Sequence, residues 1–227
     1  MNQFSKTWAV ACMVTLALAG CGGGGDAGMG TADNTAGLAT NSAALTATLA
    51  ALPVETLSEA EQESLAFMRE EEKLAHDVYI QLDGLWRGYT KVFGNIANSE
   101  STHTESVLQL LVRYNLPDPT ATLTAGVFQN TTLQNLYTQL LTAGSVSLVE
   151  GLKVGATIEE VDMIDINKAL LAVDNQDITL VYQNLLKGSR NHLRSFVSTL
   201  AKQGVTYVPQ YMVEADYLAI VTTPMER

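Results

Sequence analysis

The sequence predicts an all-α protein of four long amphipathic helices, with one long connection between the second and the third. Apolar residues recur at steps of three and four in four separate segments. Glycine-rich, proline-containing or Asp/Asn-rich stretches separate these segments. No strand-type alternation runs for more than a few residues. The pattern therefore favours two helical hairpins joined by a crossover, with short accessory helices.

The first hairpin begins with a helix predicted over 58–86. Ser58 and Glu61 have the spacing of a capping box, which satisfies free N–H groups at a helix start. The second helix ends near Tyr114, just before a proline-containing stretch. The link between the two helices is marked by glycines, namely Gly84, Gly88 and Gly94.

A long connection then leads to the second hairpin. It contains a short helix predicted over 132–141. Either Ser145 or Ser147 caps the third long helix, and the fourth is predicted over 178–201. A last short helix, over 213–220, is expected to pack over one end. This order of helices matches the ferritin-like four-helix bundle, which has a single crossover connection.

Each of the four apolar stripes is interrupted near its middle by polar side chains. Burial of an unpaired carboxylate is unfavourable by several kcal/mol, and a metal ion is one of the few partners that reverses this. The interrupting residues are Glu72 in the first helix, Glu100 and His103 in the second, Glu159 and Asp162 in the third, and Ser189 and His192 in the fourth. Packed together, the helices would gather four carboxylates and two imidazoles, the ligand count of a two-metal carboxylate site.

Several neighbours compete with these assignments. Glu71 is the alternative to Glu72, and Glu160 is the alternative to Glu159, because a one-residue error in a stripe exchanges them. We otherwise expect Glu71 and Glu160 to be exposed, together with Glu70. The remaining histidine, His76, is offset from its stripe and is interpreted as a flanking residue.

Three further side chains are candidates for supporting the ligands. Tyr79 lies on the first stripe, where it either donates a hydrogen bond to a ligand or packs in the core. Arg190 and Arg194 flank the fourth-helix histidine. They would pair with acids such as Asp77 or Asp165 behind the ligands, or else lie at the surface.

The N-terminal region predicts export. Lys6 precedes a short apolar run, and Leu18-Ala19-Gly20-Cys21 resembles the lipobox of bacterial lipoproteins. That resemblance implies cleavage before Cys21, lipidation of Cys21, and a bacterial envelope protein on the outer membrane that faces the periplasm. The predicted organisation is a lipoprotein signal peptide at 1–20, a flexible Gly/Ala/Thr-rich tether at 21–53, and the helical bundle at 54–227.

Composition limits the partners. The formal net charge of the 227-residue chain is −11, and removal of the signal would remove Lys6 and no acid, giving −12. Without a basic patch, nucleic-acid binding is not expected. The only cysteines are Cys12 and Cys21, so a metal in the bundle must be bound by oxygen and nitrogen.

Four segments together resemble an uncharacterised bacterial family, domain of unknown function 2202, which is placed in the ferritin-like superfamily. The resemblance covers about 55–220. It is carried by Glu71-Glu72-Lys73-Leu74-Ala75 with Asp77-Val78-Tyr79, by Ser99-Glu100 with His103, by Ile158-Glu159-Glu160, and by Gly188-Ser189-Arg190-Asn191-His192-Leu193-Arg194. The family has no settled function, so the resemblance implies the fold more than the chemistry.

The chain is also similar to rubrerythrin-like proteins at single positions. Glu72 with Ala75 and Tyr79 is similar to their first-helix ligand motif, and Glu100-x-x-His103 matches the second. Glu159 would supply the third-helix carboxylate. Ser189 stands where the fourth-helix motif has its glutamate, and could bind a metal-held water or leave room for one. Asp162 could restore the ligand count.

These observations predict a non-haem di-metal protein, most plausibly with two iron ions, manganese being the alternative. Its chemistry would be oxidation of ferrous iron or reduction of peroxide, with an external electron donor. The alternatives are a metal-binding lipoprotein without turnover and a purely structural or interaction lipoprotein. The sequence leaves the oligomeric state open.

Overall fold

The computed structural model describes residues 42–227, and this part of the chain is all-helical. It contains seven helices and no strand: α1 Ser42–Ala50, α2 Glu59–Trp86, α3 Val92–Arg113, α4 Thr131–Gly144, α5 Leu148–Leu170, α6 Gln176–Lys202 and α7 Glu214–Val221. The all-α prediction is confirmed. None of the helices between residues 42 and 227 has both the length and the apolar character needed to cross a bilayer.

Local capping chemistry explains where the helices begin. The Ser58 side chain accepts a hydrogen bond from the Glu61 backbone N–H at 3.2 Å. The Ser58 N–H donates in return to Glu61 Oε2 at 2.8 Å, so the predicted capping box is confirmed. Of the two serines considered for α5, Ser147 is the cap, and it accepts from the Glu150 N–H. Asn130 caps α4, which starts one residue before the prediction.

The four long helices pack as two hairpins. α2 packs against α3, and α5 packs against α6. The hairpins meet through α3 against α6 and through α2 against α5. The long connection places α4 against α2 and α5, and α7 covers part of α6. This arrangement surrounds α2 on three sides, which widens the buried face of that helix.

The region expected to be tether is partly folded. In α1, Leu45 and Leu49 lie one turn apart and are both buried. The guanidinium of Arg113 donates to the carbonyl oxygen of Leu52 at 2.7 Å. The end of the predicted tether thus contains a short helix, with its two buried leucines on the side that packs against α3. The predicted signal peptide, Cys21 and the rest of the tether lie outside the described residues.

Close packing near the middle of the bundle depends on glycine. A Cβ at Gly155 would lie 2.4 Å from a ring carbon of Phe196. The Phe196 ring therefore rests directly on the α5 backbone. Its centroid is 5.3 Å from that of Tyr79, a tilted aromatic contact. This contact holds the Tyr79 ring between α2 and α5.

Candidate metal centre

Three predicted ligands from two helices converge in the bundle interior. Glu100 and His103 come from α3 and His192 comes from α6, and all three are buried. Each offers a ligand atom, and these atoms lie within 4.8 Å of one another. An imidazole–imidazole–carboxylate set of this kind could hold a metal ion.

Glu100 lies between the two histidines. Its Oε2 is 2.8 Å from Nδ1 of His103, and its Oε1 is 2.8 Å from Nδ1 of His192. The two imidazole rings are stacked, with centroids 5.4 Å apart and planes inclined by 29°. The Glu100 carboxylate thus contacts both imidazoles, one through each of its oxygens.

Each histidine also faces a second glutamate. Glu72 Oε2 is 3.3 Å from His103 Nδ1, and Glu159 Oε2 is 3.4 Å from His192 Nδ1. The Tyr79 hydroxyl donates to Glu159 Oε1 at 2.5 Å. The centre therefore has two similar halves around Glu100, each with one imidazole and one further carboxylate.

Asp162 and Ser189 lie beside these halves. The Ser189 hydroxyl contacts Asp162 Oδ2 and also lies 2.9 Å from the carbonyl oxygen of Leu185. Ser189 thereby holds one oxygen of Asp162 and leaves Oδ1 without a hydrogen-bond partner. All six predicted ligands are thus buried in one region of the bundle, although their role in metal binding stays a prediction.

Two residues that were not assigned a role in the sequence position the imidazoles. His192 Nε2 is 2.9 Å from the Ser99 hydroxyl, which leaves Nδ1 directed at the carboxylates. At Gly188, a Cβ would lie 2.3 Å from His103 Nε2, so only glycine accommodates the ring there. Their positions next to Glu100 and Ser189 are the only sequence signal for these roles.

Charge interactions within the centre favour protonated imidazoles when no metal is bound. Burial alone would lower the pKa of both histidines, but the carboxylates outweigh it. Attraction to Glu100 and Glu72 raises the pKa of His103 well above its usual value. Attraction to Glu100 and Glu159 raises the pKa of His192 to about 10. Burial opposes ionisation of Glu100, yet the two imidazoles hold its pKa well below the usual range.

The outer carboxylates behave in the opposite way. Burial raises the pKa of Glu72 to about 7, despite the nearby His103. Burial also raises the pKa of Glu159. For Asp162, burial and then repulsion from Glu72 and Glu159 raise the pKa well above its usual value. Two imidazolium groups therefore do not offset four ionised carboxylates, so the outer acids retain protons that a bound cation could replace.

Unsatisfied polar atoms concentrate in this one place. Within residues 42–227, every buried side-chain nitrogen or oxygen without a hydrogen-bond partner belongs to the predicted ligands or to Glu71, which adjoins them: Glu71 Oε2, Glu72 Oε1, His103 Nδ1, Asp162 Oδ1 and His192 Nδ1. Buried polar groups in native proteins are normally satisfied. Two of the five are imidazole nitrogens that face carboxylate oxygens without a directed hydrogen bond. The donor set therefore fits a metal ion.

The acids expected to be exposed are buried. Glu160 accepts from the Tyr207 hydroxyl at 2.6 Å, and from three successive backbone N–H groups of the segment before α7. Glu70 accepts from the backbone N–H groups of Gln129 and Asn130. Both glutamates hold loops on the bundle and take no part in the centre. Glu159, not Glu160, faces the histidines.

Glu71 was also expected to be exposed, and that prediction is wrong as well. Its carboxyl group is buried in contact with that of Asp165 on α5. Burial and the neighbouring acids raise the pKa of Glu71 well above its usual value, and burial raises that of Asp165 to about 6. This second pair of carboxyl groups adjoins Glu72 and Asp162.

The two arginines do not support the centre. Arg190 and Arg194 both bind Glu226 near the C-terminus, and Arg194 also donates to the carbonyl oxygen of Ile220. The predicted pairing with Asp77 or Asp165 is wrong, because the C-terminal segment brings its own acid to α6. Asp77 instead pairs with Lys73 and His76 on α2. His76 thus lies away from the centre, as predicted.

Comparisons with known proteins place the chain in a family. Residues 61–224 match the family described as Uncharacterized protein domain (DUF2202), and the chain belongs to this family. It is 47% identical over 179 residues to "Uncharacterized protein MJ0754" of Methanocaldococcus jannaschii, covering 79% of this chain and 96% of that protein. The crystal structure of the same hypothetical protein superposes with a TM-score of 0.75 over 78% of this chain and 99% of that chain.

These comparisons overturn the predicted location. The relative is an archaeal protein, and the match accounts for nearly all of its length. A leader and a lipidated tether are therefore not part of what the two proteins share. The expectation of a lipid-anchored protein on the periplasmic side of a bacterial outer membrane is wrong on this finding.

Proposed function

We propose that this protein is a ferritin-like four-helix-bundle protein that binds two metal ions, with iron as the favoured metal, and oxidises ferrous iron or reduces peroxide. The helix order supports the fold assignment. Two hairpins of long helices are joined by one long connection, as in ferritin-like bundles whose inward carboxylates and imidazoles build a di-metal site.

The position of Glu100 carries the proposal of two ions rather than one. Each of its oxygens lies 2.8 Å from a different imidazole Nδ1. Glu72 and Glu159 then extend the two halves on opposite sides. Glu100 would then be shared by both ions, with His103 and Glu72 available to hold one and His192 and Glu159 available to hold the other. Asp162 would supply a further carboxylate.

The donor set favours iron or manganese. Imidazole and carboxylate ligands without thiolate suit both metals, and bridging carboxylates tolerate the ferrous and ferric states. A pair of ferrous ions would supply one electron each to dioxygen or peroxide. The protein would hold the ligands in place: Tyr79 donates to Glu159, and Ser189 restrains Asp162. An external donor would return the electrons, since no cysteine-bound electron carrier is encoded.

A metal-binding protein without turnover is the second candidate. It is favoured by Ser189, whose hydroxyl occupies one Asp162 oxygen where a glutamate ligand is expected by similarity. Fewer available carboxylate oxygens would weaken one half of the centre. Binding without catalysis would then be the function, with partners still to be identified.

Elemental analysis of the full-length protein, purified from iron- and manganese-supplemented medium, tests both candidates. We expect close to two ions per chain in the wild type. His103→Ala and His192→Ala should each lower the metal content, whereas His76→Ala should not, because His76 pairs with Asp77 outside the centre. Equal loss in all three variants, or no loss in any, would remove the assignment.

Peroxide consumption and ferrous oxidation by the metal-loaded protein then separate turnover from binding. Multiple turnovers in the presence of a reductant would support the oxidoreductase. One ion per chain and no turnover would support the binding protein. Absence of metal after anaerobic reconstitution with ferrous iron would contradict both.

A further inference from the structure

A second carboxyl pair adjoins the centre and has no role in the scheme above. Glu71 on α2 and Asp165 on α5 contact each other across the interface of these helices. Each has only 6% of its surface exposed. Unlike the buried glutamates Glu70 and Glu160, Glu71 does not hold a loop, and its Oε2 has no hydrogen-bond partner among the described residues.

The pair is connected to the centre on both helices. Asp165 follows Asp162 by one helical turn on the same face of α5, and Glu159 precedes Asp162 by one turn. On α2, Glu71 is adjacent to Glu72. Asp162 Oδ1, which is also without a hydrogen-bond partner, lies next in this series of carboxylates.

The other end of the series lies close to the surface, within the field of the Lys168 ammonium. Beside Asp165 on α5, Ile164 is exposed, and so is Lys168 one turn further on. Asp165 therefore marks the border between the bundle interior and solvent. Carboxylate oxygens thus extend from that border, through Glu71, to the Glu72 and Asp162 side of the centre.

We propose that Glu71 and Asp165 form a transient binding site through which divalent cations pass between α2 and α5 to the di-metal centre. This proposal rests on the proposed metal-binding function. The site offers only carboxylate oxygens, which hydrated ferrous and manganous ions accept. Passage requires binding that is favourable enough to admit an ion and weak enough to release it. Two carboxylates meet that requirement, whereas the imidazole-containing centre beyond them retains the ion.

The test is the rate at which the full-length, metal-free protein takes up cobalt(II), followed by stopped-flow absorption as the ion acquires imidazole ligands. We expect Glu71→Gln and Asp165→Asn to slow uptake by about tenfold or more, since each replaces a carboxyl group, which can give up a proton to bind a cation, with an amide that cannot. The final amount bound should equal that of the wild type. Both amides keep the size of the side chain and can keep a hydrogen bond between the two residues, so the fold should be retained.

Glu63→Gln is the matched control. It makes the same carboxyl-to-amide replacement at an exposed position of α2, two turns before Glu71. Its uptake rate should stay within about twofold of the wild type, since exposed charges are screened by salt. Unchanged rates in Glu71→Gln and Asp165→Asn would overturn the proposal. A lower final amount would also overturn it, by making the pair a permanent ligand set. Failure of the wild type to bind cobalt, iron or manganese would instead refute the proposed function.

Discussion

Glu159 and Glu160 are adjacent on α5 and equally buried, and each accepts from a tyrosine hydroxyl, but their remaining surroundings differ. Glu160 accepts hydrogen bonds from a tyrosine hydroxyl and from consecutive backbone N–H groups. Glu159 accepts from the Tyr79 hydroxyl and otherwise faces His192 among further carboxylates. Burial of an acid therefore does not identify a functional site in this protein. The distinguishing property is whether the structure already supplies the acid with donors.

The largest effect should come from Glu100, because it is shared by both halves of the centre. Glu100→Gln should remove nearly all bound metal, measured as ions per chain. Glu160→Gln makes the same chemical change at a glutamate that only holds a loop, and should leave the metal content unchanged. Retention of two ions by Glu100→Gln would show that this carboxylate does not bridge them.

Stability should respond in the reverse order. Glu160→Ala leaves three backbone N–H groups without an acceptor and removes one of the two partners of the Tyr207 hydroxyl, so it should lower the free energy of unfolding by on the order of 3 kcal/mol. Asp162→Asn should change the stability of the metal-free protein by about 0.5 kcal/mol or less. Burial raises the pKa of the Asp162 carboxyl well above its usual value, so the change to an amide removes less charge than it would at an exposed aspartate.

Urea unfolding of the two metal-free variants against the wild type measures this contrast. Similar losses in Glu160→Ala and Asp162→Asn would show that the acids of the centre are as well satisfied as those that hold loops. The comparison between the two classes of buried acid would then fail.

The sequence predicted the helices and the six ligand candidates for a local reason. Capping residues fix helix ends, and the polar interruptions stand out against apolar stripes of helical period. The C-terminal partner of Arg190 and Arg194 was not accessible in the same way. Glu226 lies more than thirty residues along the chain, and only tertiary packing brings it to α6.

The acids at positions 70 to 72 show the limit of periodicity most clearly. Successive residues on a helix differ by about 100° in direction, so three in a row cannot share one stripe. All three are nevertheless buried, because α3, α4 and α5 surround α2 on different sides. A stripe predicts burial against one neighbour. It does not anticipate a helix whose polar residues are covered by loops and by a third helix.

Metal affinity should rise with pH, and this prediction tests whether the imidazoles and acids of the centre are the metal ligands. The carboxylates hold protons on His103 and His192, and burial places the pKa of Glu72 at about 7. A metal ion must displace these protons. Between pH 6 and pH 8, the association constant should increase by about tenfold or more per pH unit, since more than one proton is released.

Calorimetric titration of the metal-free protein in buffers of different ionisation enthalpy counts the released protons. In the metal-free protein, the raised pKa values of the two histidines make the stability of the fold fall, rather than rise, with increasing pH. The imidazolium–carboxylate contacts stabilise the fold fully below the unfolded histidine pKa, and their contribution is lost as the pH rises through about 10 for His192. An affinity independent of pH would mean that the bound metal does not use these imidazoles.

The smallest effect is expected at Ser99, and it tests whether the two halves of the centre are equivalent. Its hydroxyl contacts His192 Nε2 at 2.9 Å, whereas His103 Nε2 faces the bare backbone of Gly188. Ser99→Ala should weaken binding of one ion by about tenfold, the usual effect of removing a partner that orients a ligand.

Ser106→Ala is the matched control, because the Ser106 hydroxyl donates to the Thr102 carbonyl within α3. Weakening of both ions in Ser99→Ala would show that the halves act as one unit through Glu100. Weakening of one ion would show that each imidazole sets the affinity of its own half.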